Sequence, residues 1–146
     1  MSFILSKALQ QDIFTQMEGT FPNEGGGFLL GSNEDGDVHI EAIVAVENVF
    51  ETEEQYHRYA MTPQNWAAME DEADERGMTL VGYYHSHPDS AAIPSEYDRI
   101  HALPHFAYII TSVQAGKAVD MTAWLLRDDR SQFDQQTLKI TSFEGG

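Results

Sequence analysis

The sequence predicts a single mixed α/β domain in which helices flank a mostly antiparallel sheet. The chain has 146 residues, which is the length of one ordinary domain, and it contains no linker long enough to divide it. Hydrophobic residues make up 42% of the chain, which is enough to form a buried core. Segments with helical and with strand-like apolar spacing follow one another along its length, so both kinds of element are expected.

Each predicted element rests on local spacing and on the residues at its ends. Val38 to Val46 places apolar residues at every second position, which is typical of a strand, and the turn before it makes a hairpin with the preceding apolar run. Thr62 and Pro63 have the cap and first-turn chemistry of a helix start. Residues 48–60 are polar and are predicted to be irregular. In chain order, the predicted elements are a helix over 6–20, strands over 26–32 and 38–46, a helix from 62 to 77, a strand over 79–84, a short helix from 95 to about 103, and strands over 106–111, 119–126 and 133–140.

The composition argues against several classes of protein. The chain lacks cysteine, so disulfides, thiolate zinc sites and cysteine nucleophiles are excluded. Its 24 acidic residues against 8 basic ones give a formal net charge of −16, which disfavours nucleic acid and anionic membranes as partners. No apolar run approaches a membrane span, and the first residues lack a signal-peptide pattern, so the cytoplasm is the default expectation. This charge balance fits either a halophilic protein or an acidic mesophilic one.

The segment from Val81 to Asp98 contains the residues that carry chemistry. Side chains two apart on an extended strand point the same way, so His85 and His87 can offer two imidazoles to one metal ion. Pro88 ends the predicted strand, and Asp98 falls in the first turn of the next helix, from which it could supply a third ligand. Two nitrogens and one carboxylate oxygen, with a fourth position left for water, form the pattern of a catalytic zinc site.

Simpler interpretations of these residues stay open on spacing alone. A His-x-His pair occurs often by chance, and Ser95 followed by Asp98 is also an ordinary helix start, with a capping serine and an acid near the helix dipole. Asp89 and Glu96 are nearby carboxylates that could replace Asp98 as the third ligand. The remaining histidines are interpreted as ordinary surface or core residues: His39, His57, His101 and His105.

The pattern as a whole resembles the signature of the JAMM (MPN+) zinc metalloproteases. That signature combines His-x-His-Pro, a Ser-x-x-Asp that begins seven residues beyond the second histidine, and a glutamate far upstream before a glycine and an apolar strand. The resemblance covers roughly residues 5–127, and it departs at Gly25, where family members often carry a cysteine or serine. Gly25 to Gly27 is interpreted as a site of close backbone approach, because a phosphate-cradling loop would need a following lysine. The matching residues are Glu24, His85, His87, Pro88, Ser95 and Asp98.

The resemblance implies the fold and its extent. It predicts one MPN (JAMM) domain over residues 1–146, with cytidine-deaminase-like layering of helices on the sheet. The core is expected over about 5–127, and the tail 141–146 is expected to be disordered. The terminal Gly145-Gly146 could echo a carrier tail or be a disordered end.

The resemblance also implies the chemistry of the site. One Zn²⁺ per chain is expected, with Glu24 as the general base and Ser95 as the donor to the developing oxyanion. Ser86, between the two histidines, is interpreted as a structural residue. The expected metal ligands are His85, His87 and Asp98.

The expected substrate follows from the small prokaryotic members that this chain resembles. They hydrolyse the amide bond after the C-terminal Gly-Gly of ubiquitin-like sulfur carrier proteins, either in a carrier–amino-acid adduct or in an extended carrier. The resemblance therefore predicts such a carrier as the partner, and it predicts nothing about the oligomeric state. Two alternatives remain open: an inactive scaffold of the same fold, or a peptidase acting on other peptides.

Overall fold

A computed structural model describes residues 1–60 and 62–142, with the side chains of residues 48, 49, 53 and 57 outside the description. Within these residues, no helix is both long enough and apolar enough to cross a membrane. The elements are β1 (Ser2–Ser6), α1 (Lys7–Thr20), β2 (Glu24–Glu34), β3 (Asp37–Phe50), α2 (Glu53–Ala60), α3 (Pro63–Glu75), β4 (Thr79–Pro88), α4 (Glu96–His101), β5 (Ala107–Gln114), β6 (Lys117–Leu126) and β7 (Phe133–Thr141).

The helix starts agree with the predicted capping chemistry. The hydroxyl of Ser6 accepts a hydrogen bond from the backbone N–H of Leu9 at 3.1 Å, and Thr62 accepts one from Asn65 at 3.1 Å. Each cap satisfies one of the donors that the first turn of a helix leaves without a partner. The predicted helices and strands are therefore present, with bounds that shift by a few residues.

Two parts of the prediction are wrong. The sequence predicts no strand before the first helix, whereas β1 occupies Ser2–Ser6. Residues 48–60 are predicted to be irregular, whereas this stretch contains the end of β3 and the helix α2. Both elements have a short or largely polar sequence, so their stability comes from distant partners rather than from local pattern.

The sheet is mixed and it closes on itself. The strand order is β1-β3-β2-β4-β5-β6-β7, and β1 pairs in parallel with β7, for example Phe3 with Leu138. Of the seven pairings in the described residues, four are antiparallel and three are parallel, so the predicted mostly antiparallel character is confirmed. The predicted sheet with helices at its faces is corrected to a closed barrel, because β1 bridges β3 and β7. The cytidine-deaminase-like layering stays a prediction.

The paired strands extend from Ser2 to Thr141, beyond the core predicted over 5–127. Thr141 of the expected disordered tail pairs with Ser6, and residues 143–146, including the terminal glycines, lie outside the described residues.

The apolar residues form two clusters on opposite faces of the strands. One cluster unites α1 with residues from the strands around the barrel, including Leu29, Tyr84 and Ile109. The other lies under α2 and α3, and it takes the alternate residues, such as Phe28 and Tyr83. Because β2 and β4 are covered on both faces, polar side chains on these strands are buried too.

Candidate metal centre

The two histidines of the motif lie on β4, between β2 and β5. His85 pairs with Gly26 on one side and with Ile110 on the other, while His87 pairs with Ser112. Their side chains share one face because they are two residues apart on an extended strand, and β4 ends at Pro88 as predicted. His85 is 2% exposed and His87 is 5% exposed, so both imidazoles are buried.

Asp98 reaches the histidines from the first turn of α4. A capping box fixes its carboxylate: the Ser95 N–H donates to Asp98 Oδ2 at 2.9 Å, and the Asp98 N–H donates to Ser95 Oγ at 3.0 Å. The helix-start interpretation of these two residues is therefore confirmed, and the same geometry aims the carboxylate. Asp98 Oδ1 lies 3.4 Å from His85 Nε2, and Oδ2 lies 3.5 Å from His87 Nε2.

The donor atoms lie close enough together to share one ion, at spacings near those of a tetrahedral zinc site. The two Nε2 atoms are 3.1 Å apart, and each lies 3.4–3.5 Å from an oxygen of Asp98. Ligands bound to zinc at about 2.0–2.2 Å in a tetrahedron are separated by roughly 3.3–3.6 Å. Imidazole nitrogen and carboxylate oxygen are also the donors that zinc prefers, whereas calcium and magnesium favour oxygen-rich sites. Among the described residues, His85, His87 and Asp98 are the one group of three or more His, Cys, Asp or Glu side chains whose ligand atoms all lie within 4.8 Å of one another.

A second contact fixes which nitrogen of His87 faces the other ligands. His87 Nδ1 lies 2.9 Å from the carbonyl oxygen of Ala91. Because a carbonyl only accepts, Nδ1 must carry the proton, and Nε2 keeps its lone pair. Metal-binding histidines usually have this arrangement: one ring nitrogen binds the metal, and the N–H of the other donates a hydrogen bond to a carbonyl or carboxylate.

Glu24 begins β2 and lies in the same neighbourhood. Glu24 stands two residues before Gly26, which pairs with His85, so it lies at the end of β2 that is next to the histidines. The Gly25 N–H donates to the hydroxyl of Ser86 at 3.1 Å, which ties this end of β2 to β4. This bond fits the structural interpretation of Ser86, and it anchors the backbone at the position where the sequence departs from the JAMM pattern. Glu24 is 6% exposed.

Tyr56 of α2 forms a wall of the site that the sequence does not predict. Its ring stacks on the imidazole of His85 with centroids 5.7 Å apart, and a Cβ added at Gly26 would lie 2.6 Å from the Tyr56 ring. The close approach predicted for the glycines is therefore confirmed at Gly26, and residues 25–27 form part of a strand rather than a phosphate-binding loop.

Burial raises the pKa of the Tyr56 phenol well above its usual value, and neighbouring tyrosines and the Glu24 carboxylate raise it further. Tyr56 lies in the polar stretch 48–60, so no local signal marks it.

The alternative ligands have other partners. Asp89 accepts a hydrogen bond from the backbone of Ala115, and Glu96 forms an exposed ion pair with Arg99. His101 contacts the ring of Tyr97. His39 is half-buried on β3, and His105 forms an exposed pair with Asp128. The side chain of His57 lies outside the described residues.

Comparison with known proteins agrees with the fold. The family model of prokaryotic homologues of the JAB domain matches residues 6–127. The chain belongs to the prokaryotic JAB family. This confirms the resemblance to the small prokaryotic JAMM/MPN proteins.

Individual JAB relatives differ in how much of the chain they match. A protein of Haloferax volcanii named desampylase is 34% identical over 96 residues, which is 64% of this chain and 66% of that protein. A protein of Salinibacter ruber whose solution structure is known is 36% identical, with a TM-score of 0.73 over 96% of this chain and 91% of the other.

Two more distant structures show the fold alone. A protein of Desulfitobacterium hafniense superposes with a TM-score of 0.79 at 22% identity, over 99% of this chain and 95% of the other. A JAB1/MPN domain protein of Archaeoglobus fulgidus superposes with a TM-score of 0.60 at 18% identity, over 97% of this chain and 99% of the other.

Proposed function

We propose that this protein is a zinc-dependent metalloprotease that hydrolyses the amide bond after the C-terminal Gly-Gly of a ubiquitin-like sulfur carrier protein. The single observation that carries the proposal is the buried group of two imidazole nitrogens and one carboxylate, with their donor atoms within 4.8 Å of one another. One Zn²⁺ per chain would be held by His85, His87 and Asp98. Bound there, it would supply Lewis-acid activation of water and of the substrate carbonyl.

Two residues of the chain carry the proton transfer and the stabilisation of negative charge: Glu24 and Ser95. Glu24 takes a proton from the attacking water and passes it to the departing amine nitrogen, as the carbon–oxygen bond forms and the carbon–nitrogen bond breaks. Ser95 donates a hydrogen bond to the oxygen on which negative charge develops. Its hydroxyl also accepts a hydrogen bond from the Asp98 N–H at 3.0 Å, which holds Ser95 beside the carboxylate.

The burial of the site supports specificity for a Gly-Gly tail. Glu24, His85 and Asp98 are each no more than 6% exposed, so little room surrounds the ligand atoms. An extended tail without side chains can reach such a buried centre, whereas a bulkier tail is obstructed. The name of the Haloferax relative, desampylase, supports removal of a ubiquitin-like modifier as the class of reaction.

The test uses a sulfur carrier extended beyond its Gly-Gly by a short peptide, together with the same carrier joined to a lysine side chain. Each is incubated with the zinc-loaded protein, and the mass of the carrier is measured over time. We expect the mass to fall to that of a carrier ending in Gly-Gly. An extended carrier with Ala-Ala in place of Gly-Gly serves as the control, and it should stay intact because its methyl groups meet the walls of the site.

Other outcomes separate the competing functions. If zinc binds and neither carrier is cleaved, but an unrelated unfolded peptide is, the protein is a peptidase with a different substrate. If zinc binds and nothing is cleaved, it is a scaffold of the same fold. Either result would contradict the proposed substrate, and the second would contradict the enzymatic function as well.

A further inference from the structure

The segment that joins β4 to α4 connects two of the three candidate metal ligands, His87 and Asp98. It runs over residues 89–95, between the ligand His87 and the helix that presents Asp98, and it has no helix or strand of its own. Its shape must therefore be set by contacts from outside. At its start, the Asp89 N–H donates to the carbonyl of Val113 at 2.7 Å, and Ser112 donates to the carbonyl of Ser90 at 2.5 Å.

The middle of the segment is tied to β6 by one threonine. The hydroxyl of Thr122 donates to the carbonyl of Ala92 at 2.6 Å, and Ala92 is 3% exposed. The indole N–H of Trp124 donates to the oxygen of Thr122 at 2.7 Å. Because the indole can only donate, Thr122 must accept from Trp124, and its own proton is directed at Ala92.

This tether adjoins the carbonyl that orients His87. Ala91 accepts from His87 Nδ1, and Ala92 is the next residue along the chain. The carbonyls of Ala91 and Ala92 belong to successive peptide units, which are joined only through the φ and ψ of Ala92. Because Ala92 is buried, these two dihedrals have little room to change. Holding the carbonyl of Ala92 therefore limits the rotation of the carbonyl of Ala91.

We propose that Thr122 is a positioning residue for the metal centre. It acts by fixing the backbone of residues 91 and 92. In this position the carbonyl of Ala91 accepts the hydrogen bond from the His87 Nδ1–H, and His87 Nε2 stays directed at Asp98. This inference rests on the proposed zinc site. It adds a group from β6, a strand that contributes no ligand, to the residues that determine metal affinity.

The test compares three variants. Thr122→Val removes the hydroxyl and keeps the shape, while Thr122→Ser keeps the hydroxyl and loses one methyl group. Thr111→Val is the control, because the Thr111 hydroxyl on neighbouring β5 is buried and has no hydrogen-bond partner among the described residues. Zinc affinity is measured by competition with a chromophoric chelator, and the exchange rate of the His87 imidazole N–H is measured by NMR in the zinc-loaded protein.

Thr122→Val should bind zinc about tenfold more weakly, at the lower end of the range for groups behind a ligand. Its His87 N–H should exchange faster with solvent. Thr122→Ser should restore both quantities, and Thr111→Val should leave both unchanged. Equal zinc affinity and equal exchange in Thr122→Val and the unmodified protein would overturn the inference while leaving the metal site intact.

Failure of the underlying site gives a different result. If the unmodified protein itself does not bind zinc, both the proposed function and the role of Thr122 in metal affinity are wrong. If Thr122→Val is too unstable to purify, Trp124→Phe tests the same tether, because it removes the donor that orients the Thr122 hydroxyl. That variant should also weaken zinc binding, and unchanged affinity there would count against the inference.

Discussion

At the residue scale, Glu24 is defined by its burial and by its neighbours. It is 6% exposed, and the Gly25 to Ser86 hydrogen bond ties its end of β2 to the strand that carries the histidines. Its carboxylate also lies close enough to Tyr56 to raise the pKa of that phenol. These contacts distinguish Glu24 from the many acids on the surface, and they agree with a base beside the metal ligands.

Replacing Glu24 tests its role as a base. Glu24→Gln should keep the fold and zinc binding, because the expected metal ligands are His85, His87 and Asp98. It should lower turnover by roughly 10²–10⁴-fold because the proton acceptor is lost. The measurement is the rate of carrier cleavage at saturating zinc. Glu34→Gln, at the opposite and exposed end of the same strand, is the matched control and should cleave at the normal rate. Full activity in Glu24→Gln would remove the general-base assignment.

Ser95 has two duties that mutation can separate. Ser95→Ala removes the cap of α4, which should cost about 1 kcal/mol of unfolding free energy, and removes the oxyanion donor, which should slow turnover by roughly 10²–10³. Thr62→Ala removes the cap of α3 at a distance from the ligands, so it should lose similar stability and keep its turnover. Both variants are compared by denaturant unfolding and by carrier cleavage. If the two show the same activity, Ser95 is a cap and nothing more.

At the scale of the element, α4 positions the carboxylate of Asp98. Its six residues are too few to be stable alone, so its capping box and its packing fix where Asp98 points. The same box that starts the helix places Asp98 Oδ1 3.4 Å from His85 Nε2. Structure and chemistry therefore use the same two residues, Ser95 and Asp98.

Neighbouring acids on α4 allow a controlled test of this arrangement. Asp98→Asn keeps a side-chain oxygen to accept the Ser95 N–H, so the helix should persist, but it removes the negative charge that a metal ligand needs. Zinc affinity should fall by more than about 100-fold, beyond the range for groups that only support a ligand. Glu96→Gln loses an exposed acid of the same helix turn and should bind zinc normally. Equal affinities in these two variants would show that Asp98 is not a ligand.

The elements differ in how far the sequence predicts them. The site elements are predictable because their signals are local: two histidines two apart, a proline that ends the strand, and the Ser95 cap. β1 and α2 are not predictable in this way, because five residues of strand and a polar eight-residue helix carry little periodicity. Tyr56 is missed for the same reason, since its contacts with His85 and Gly26 are formed between distant parts of the chain. Thr122 is missed because its hydrogen bond joins residues 30 apart in sequence.

At the scale of the whole molecule, closure of the sheet joins the two ends of the chain. β1 pairs with both β3 and β7, so the closing strand depends on residues more than 130 positions away, such as the pairing of Ser2 with Thr137. No local pattern encodes this closure, which explains why the sequence predicts the strands but not the barrel. Four tyrosines are buried on the two faces of this sheet: Tyr84 in the cluster with α1, and Tyr56, Tyr83 and Tyr108 in the cluster under α2 and α3.

These tyrosines predict loss of stability at high pH. Burial raises the pKa of each of the four phenols above its usual value, so the folded state keeps protons that the unfolded state releases from about pH 10. The stabilisation is present below that pH and is lost as the pH rises above it. Denaturant unfolding at pH 9 to 11 should show a falling free energy, with tyrosinate absorbance appearing together with unfolding.

One tyrosine provides the control for this prediction. The Tyr83 hydroxyl is buried and has no hydrogen-bond partner among the described residues, so Tyr83→Phe removes an ionisable group without breaking a bond. The variant should be at least as stable at neutral pH, and its stability should fall less steeply above pH 10. A decline as steep as that of the unmodified protein would contradict the explanation by burial.

The central claim is that His85, His87 and Asp98 bind one divalent ion, and zinc titration into the metal-free protein tests it most directly. Calorimetry should give one site per chain in the unmodified protein, and in His105→Ala, which alters an exposed histidine paired with Asp128. His87→Ala should abolish that site. Zinc binding that survives unchanged in His87→Ala, or an unmodified protein that takes up no zinc, would contradict the account.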